Sequence, residues 1–284
     1  MVWGRRGGRA AVAGVALALV LAGCSTHVNA GSAGVDKAEQ ALSRIDGVQS
    51  VRGNGQNSLP FAGTVSAFVT TDDDLSDEQL RRVTDEVGRW VSRTSNASVS
   101  YGAHIETDGF GFFVGRRASE NAEILHVVDG LRDGGRWLGG NIRSAGESGT
   151  EQASIELHVR QPSDLVSGWD AARDAASGSG WKTVSVSAEA WNHPRKDALD
   201  RYNPDFSIAN HDGAGKDGIG DPSPEVSAYR QVVAKHTVTG ASVEPGRIHV
   251  HVADAADIAD ATAVIERAAP DTAAVVDGGA GDTD

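Results

Sequence analysis

His249 and His251 stand two residues apart in Arg247-Ile248-His249-Val250-His251-Val252, whose alternation of apolar and polar side chains is that of a half-buried strand. On a strand this spacing sends both imidazoles to one face, and His158 can sit equivalently in a second copy of the pattern. Two imidazoles could begin a transition-metal site, but Zn²⁺ takes three or four ligands and the sequence identifies no third. Ile248, Val250 and Val252 claim the buried side, so the expected reading is a solvent-facing or interface sheet surface without a metal. Trp137, Trp169, Trp181 and Trp191 offer a second chemistry, because indole faces stack on sugars. Trp169 is in phase with an apolar helix face and Trp181 opens a strand, which leaves Trp137 and Trp191 as the candidate exposed pair. Asp212, Asp217 and Asp221 could give oxygens to Ca²⁺, but alternating carboxylates with a distal Glu are missing and Lys216 opposes a cation. A solvated linker is expected there. No catalytic residue is assigned, since the chain lacks a Gly-x-Ser-x-Gly elbow, a His-Glu-x-x-His helix and a phosphate loop. Asp72-Asp73-Asp74 precedes a helix, where acids suit the helix dipole.

The chain has one cysteine, Cys24, in Leu21-Ala22-Gly23-Cys24, behind a basic segment with Arg5, Arg6 and Arg9 and an apolar run from Ala10 to Val20. This layout resembles the signal peptide and lipobox of bacterial lipoproteins. The apolar run is about half of the ~20 residues a membrane span needs. The resemblance implies cleavage before Cys24 and a diacylglycerol on its sulfur, placing the protein on the extracytoplasmic face of the cell membrane. Two or three acyl chains, at ~0.8 kcal/mol per buried methylene, hold a protein where one does not. No cofactor beyond that acyl anchor is expected. The sole methionine is Met1, so the mature body would carry neither thiol nor thioether. The formal net charge of −13 includes the three signal arginines, and the mature chain is more acidic still. Such a charge argues against nucleic acid as a partner.

The elements that must position these side chains follow from periodicity. After residues 1–23 as signal and 24–34 as a flexible tether, residues 35–115 form a first module. In it a helix from Val35 to Ile45 leads through a Gly53-Asn54-Gly55 turn to a strand with Val65, Ala67 and Val69 inward. The next helix starts at the Ser76/Gln79 capping box and buries Leu80, Val83, Val87, Trp90 and Val91. A strand through Val99, Tyr101 and Ile105 then turns at Asp108-Gly109 into a further strand. Residues 119–190 repeat the order, with Ala122, Leu125 and Val128 inward on the first helix and Leu165, Trp169, Ala172 and Ala176 on the second. An Asp/Gly/Pro-rich linker, 191–222, follows, with Tyr202, Phe206 and Ile208 expected to pack on a module. Residues 223–277 form the third module, whose first helix has Ser223 as N-cap and Val226, Tyr229 and Val233 inward. Residues 278–284 are an expected disordered tail. The predicted class is α+β: two to three small modules of order α-β-β-α-β, each a mixed or antiparallel sheet with helices on one face.

That order, and the Pro245-Gly246 hairpin feeding residues 247–252 and an Ala-rich helix, resemble the BON domain, a small module of bacterial envelope proteins. The resemblance is closest in module three and implies binding to the membrane or another envelope component. Modules one and two depart from it by longer loops, and the family's glycine after the second central strand is absent from module three. Peptidoglycan-binding SPOR-like modules have nearly the same elements. The expected function is thus a non-catalytic, membrane-anchored binding or adaptor scaffold with an envelope protein or cell-wall component as partner. A glycan-binding lipoprotein using Trp137 and Trp191, and an extracytoplasmic hydrolase, are the alternatives.

Overall fold

In a computed structural model, residues 30–59, 62–132, 135–144, 152–193, 204–210 and 220–279 are described. Cys24, most of the tether, His211, Asp212, Lys216, Asp217, Tyr202 and the tail from residue 280 lie outside the described residues. The elements run α1 (Ala30–Leu42), β1 (Val48–Leu59), β2 (Ala62–Thr71), α2 (Asp77–Thr94), β3 (Val99–Thr107), β4 (Phe110–Val114), α3 (Ala118–Arg132), β5 (Gly139–Arg143) and β6 (Ala153–His158). They continue with α4 (Leu165–Gly178), β7 (Val184–Ala190), β8 (Phe206–Ala209), α5 (Ser223–Val233), β9 (Val238–Glu244), β10 (Arg247–Val252), α6 (Ile258–Ala268) and β11 (Ala273–Gly278). The order helix, strand, strand, helix, strand occurs three times, with β4 and β8 inserted between copies.

The fold is α+β, with helices alternating with strands and packing against a sheet. Separate module sheets do not form: the eleven strands make one continuous sheet in chain order, β1 to β11. The inserted strands are the reason. β8, inside the expected linker, pairs antiparallel with β7 and parallel with β9, and β4 pairs parallel with β5. Each thereby satisfies a sheet edge that a free-standing module would leave open. By contacts the chain divides into two units, Met1–Ile105 with Val114–Ala118, and Glu106–Phe113 with Ser119–Asp284. No helix among the described residues is long and apolar enough to cross a membrane.

In the first unit, α1 begins at Ala30, five residues before the expected start at Val35. Gly53-Asn54-Gly55 is no turn, since β1 runs straight through it, with Gly53 opposite Ala67 and Gly55 opposite Val65. One cause explains both differences. A Cβ on Gly55 would lie 2.5 Å from the Gly31 carbonyl oxygen, and one on Gly34 would lie 2.6 Å from Val65 Cγ2. These glycines permit close approach of helix to strand, and the sequence pattern of a loop is the footprint of that contact. α2 starts at the expected capping box, where Ser76 Oγ accepts from the Gln79 backbone N–H and Gln79 Oε1 accepts from the Ser76 N–H. Leu80, Val83, Val87 and Val91 are buried, while Trp90 is half-buried with its ring edge-on to Tyr101 at 5.1 Å.

In the second unit, the strands bury Ile142, Ile155, Leu157, Val186, Ile208, Val243, Ile248 and Val250 on the helix-covered side. α3 packs through Ile124, Leu125, Val127, Val128 and Leu131, whereas Ala122 is exposed, one step off the stripe. On α5, Val232 takes the inward place expected for Val233, which is exposed. The cap of α5 is Pro222, one residue before Ser223, and Asp221 accepts hydrogen bonds from the Ser223 N–H and hydroxyl. Those bonds hold the Asp221 carboxyl below its ordinary range. Phe206 and Ile208 are buried in β8, in line with their expected packing.

Candidate functional site

Strand alternation in the second unit sends Ile155, Leu157, Val186, Ala188, Ile248 and Val250 to the helices, and Glu156, His158, Ser187, Glu189, His249 and His251 to the opposite face. Register then lines the latter up across strands. His158 is opposite Glu189, Glu189 opposite Ser207, Ser207 opposite Ser242, and Ser242 opposite His249. Four steps of ~4.8 Å separate His158 from His249, about 19 Å along one polar row.

Two clusters of potential ligand atoms punctuate that face, and the same strand geometry builds both. On β10, His249 and His251 are joined by Asp277, which β11 places directly opposite His251. On β6, Glu156 and His158 are joined by Glu189, which β7 places directly opposite His158. In both, the last residue of the pair faces a glycine on the antiparallel neighbour, Gly240 for His251 and Gly139 for His158. At Gly240 a Cβ would lie 3.2 Å from the His251 ring, so the glycine makes room for the imidazole.

The two clusters differ in exposure. His249 Nε2 lies 3.1 Å from Asp277 Oδ2, His251 Nδ1 stands against Asp277 Oδ1, and the two rings are 4.5 Å apart between centroids. All three side chains are 38–49% exposed. His158, in contrast, is buried, with Nε2 2.7 Å from Glu156 Oε1 and 3.8 Å from Glu189 Oε2. Its ring stands edge-on to Trp191 at 5.4 Å. Burial opposes ionisation of Glu156, yet the hydrogen bond and charge of His158, the Asn141 amide and the Arg143 charge together outweigh it. Its carboxyl is held below the ordinary range.

The structure thus brings His249 and His251 together on one face, as their spacing predicts, and sets Asp277, a third potential ligand that the sequence did not identify, beside them. Asp277 is not legible in the sequence because its partnership depends on parallel register between β10 and β11. Glu156, two residues before His158, was legible by the same spacing argument as the histidine pair. Trp137 and Trp191 are not an exposed pair: both are buried, at 6% exposure. The Trp137 ring packs beside Gly168 of α4, with the Arg136 guanidinium 4.4 Å over its face. Trp191 follows Glu189 in strand alternation and closes over His158, so the two indoles serve opposite sides of the sheet. Trp169 is buried as expected, while Trp181 is half-exposed and donates to Glu123. Of the three acids weighed for calcium, Asp221 accepts from Ser223 at the start of α5, and Asp212 and Asp217 lie outside the described residues.

Compared with known proteins, the chain matches no family model, no curated protein and no solved structure at a significant level. The resemblance to BON modules therefore rests on element order and the Pro245-Gly246 hairpin segment of the sequence.

Proposed function

We propose that the protein is an exported, lipid-anchored binding scaffold that takes an envelope partner on the open face of its sheet and performs no catalysis of its own. The observation that carries this reading is one-sided packing in the second unit. Helices cover the apolar side, while the other side presents an in-register row of small polar and ionisable residues, Glu189, Ser207, Ser242 and His249 among them. A row of serines flanked by imidazoles and carboxylates suits hydrogen-bonded recognition of a polar surface. Support for the anchor is the sequence layout from Arg5 to Cys24. The glycan reading has no comparable support, because Trp137 and Trp191 are buried.

Two experiments test this reading. Radiolabelled palmitate incorporates into the wild-type chain and not into Cys24→Ala; a labelled Cys24→Ala variant would sink the anchor. In cells, a partner co-isolates with the wild type and is lost on Ser187→Arg or Ser242→Arg. Undiminished capture by both variants would remove the open face from the interaction.

A further inference from the structure

We infer that His249, His251 and Asp277 form a binding site for a late first-row divalent metal ion, of which Zn²⁺ is the natural probe. Three observations carry it. First, one ligand atom from each residue lies within 4.8 Å of the other two, so small side-chain rotations bring the three to the ~3.4 Å spacing of ligands around one tetrahedral ion. Second, the set contains two imidazole nitrogens and one carboxylate, the combination that suits Zn²⁺ or Cu²⁺ and not an all-oxygen ion such as Ca²⁺ or Mg²⁺. Third, both imidazoles converge on one carboxylate: Asp277 Oδ2 lies 3.1 Å from His249 Nε2, and Asp277 Oδ1 stands against His251 Nδ1.

A paired-charge reading explains the cluster less well. Two imidazoles with ring centroids 4.5 Å apart face a single carboxylate, so one acceptor group serves two rings. Arg247, two residues earlier on the same face, pairs with Glu244. A divalent ion bound by neutral imidazoles uses all three donors at once. The side chains are 38–49% exposed, which leaves coordination positions on the solvent side for water or for a donor group of a partner. The Gly240 position supports the same assignment, since it gives the His251 ring its place beside the strand.

This site stands independently of the envelope reading: a chain that captures no partner still titrates metal. The test is Zn²⁺ titration of the full-length protein by calorimetry, with Co²⁺ absorption as a spectroscopic readout of ligation. The expected result is one Zn²⁺ per chain at this site and a tetrahedral Co²⁺ spectrum that Zn²⁺ bleaches. His249→Gln, His251→Gln and Asp277→Asn should each weaken Zn²⁺ about tenfold or more and alter the Co²⁺ spectrum, with circular dichroism unchanged. Glu189→Gln, on the corresponding cluster, should leave both intact. The inference is overturned if the folded His249→Gln and Asp277→Asn variants bind Zn²⁺ as the wild type does, or if the wild type binds none.

Discussion

At the scale of single residues, the histidine pair and the tryptophan pair had opposite fates for one physical reason. A strand's two-residue period fixes which face a side chain takes, so His249 and His251 were legible together on one face. What covers that face is set by segments distant in sequence, and the sequence carries no direct sign of it. Trp137 lies under α4 beside Gly168 and Trp191 over His158, contacts no local pattern announces. Trp137→Ala is accordingly a core truncation and should lower stability by about 3–5 kcal/mol in urea unfolding; a change below 1 kcal/mol would contradict its burial. Glu156 carries a pH signature. Its carboxyl is depressed in the fold, so the stability it confers is present above its ordinary value of 4.5 and is lost as pH falls through the lower folded value. The stability gap between wild type and Glu156→Gln should therefore be open at neutral pH and close below about pH 4.5. A gap that is the same at pH 7 and pH 3 would remove the assigned ion pair.

At the scale of elements, capping chemistry and helical stripes were readable, and glycine was the main source of error. The Ser76/Gln79 box starts α2 where the sequence places it, because both halves of the motif are local. Gly53 and Gly55 read as a turn since glycine serves both turns and close contacts, and only the packing of α1 tells them apart. β8 was hidden in a polar linker because four residues with three buried side chains, Phe206, Ile208 and Ala209, are too short for periodicity to register. A paired substitution tests the glycine argument. Gly55→Ala sets a Cβ 2.5 Å from a backbone oxygen that no side-chain rotation can relieve, and should cost about 1–3 kcal/mol. Gly130→Ala, on α3 with nothing within 4 Å of its Cβ, should stabilise by about 0.5–1 kcal/mol. Equal effects at the two sites in chemical denaturation would refute the close-approach account.

At the scale of the whole molecule, repetition of one element order generates a long sheet in place of separate modules, because β4 and β8 supply the pairing that modules would otherwise lack. Repetition also places two similar clusters of potential ligands on one face, one with its histidine buried against Trp191 and one open to solvent. A formal charge of −13 disfavours binding to anionic surfaces by charge, so the proposed membrane location would depend on acylation of Cys24. Scaffold and anchor meet in one claim, that the open sheet face is where the partner binds. The most direct test is a photo-crosslinking residue placed in living cells at Ser187 or Ser242 on that face, and at Arg173 on the exposed side of α4. The account predicts a discrete adduct from the two sheet positions and none from Arg173. An adduct from Arg173 alone would contradict it and move the binding surface to the helices.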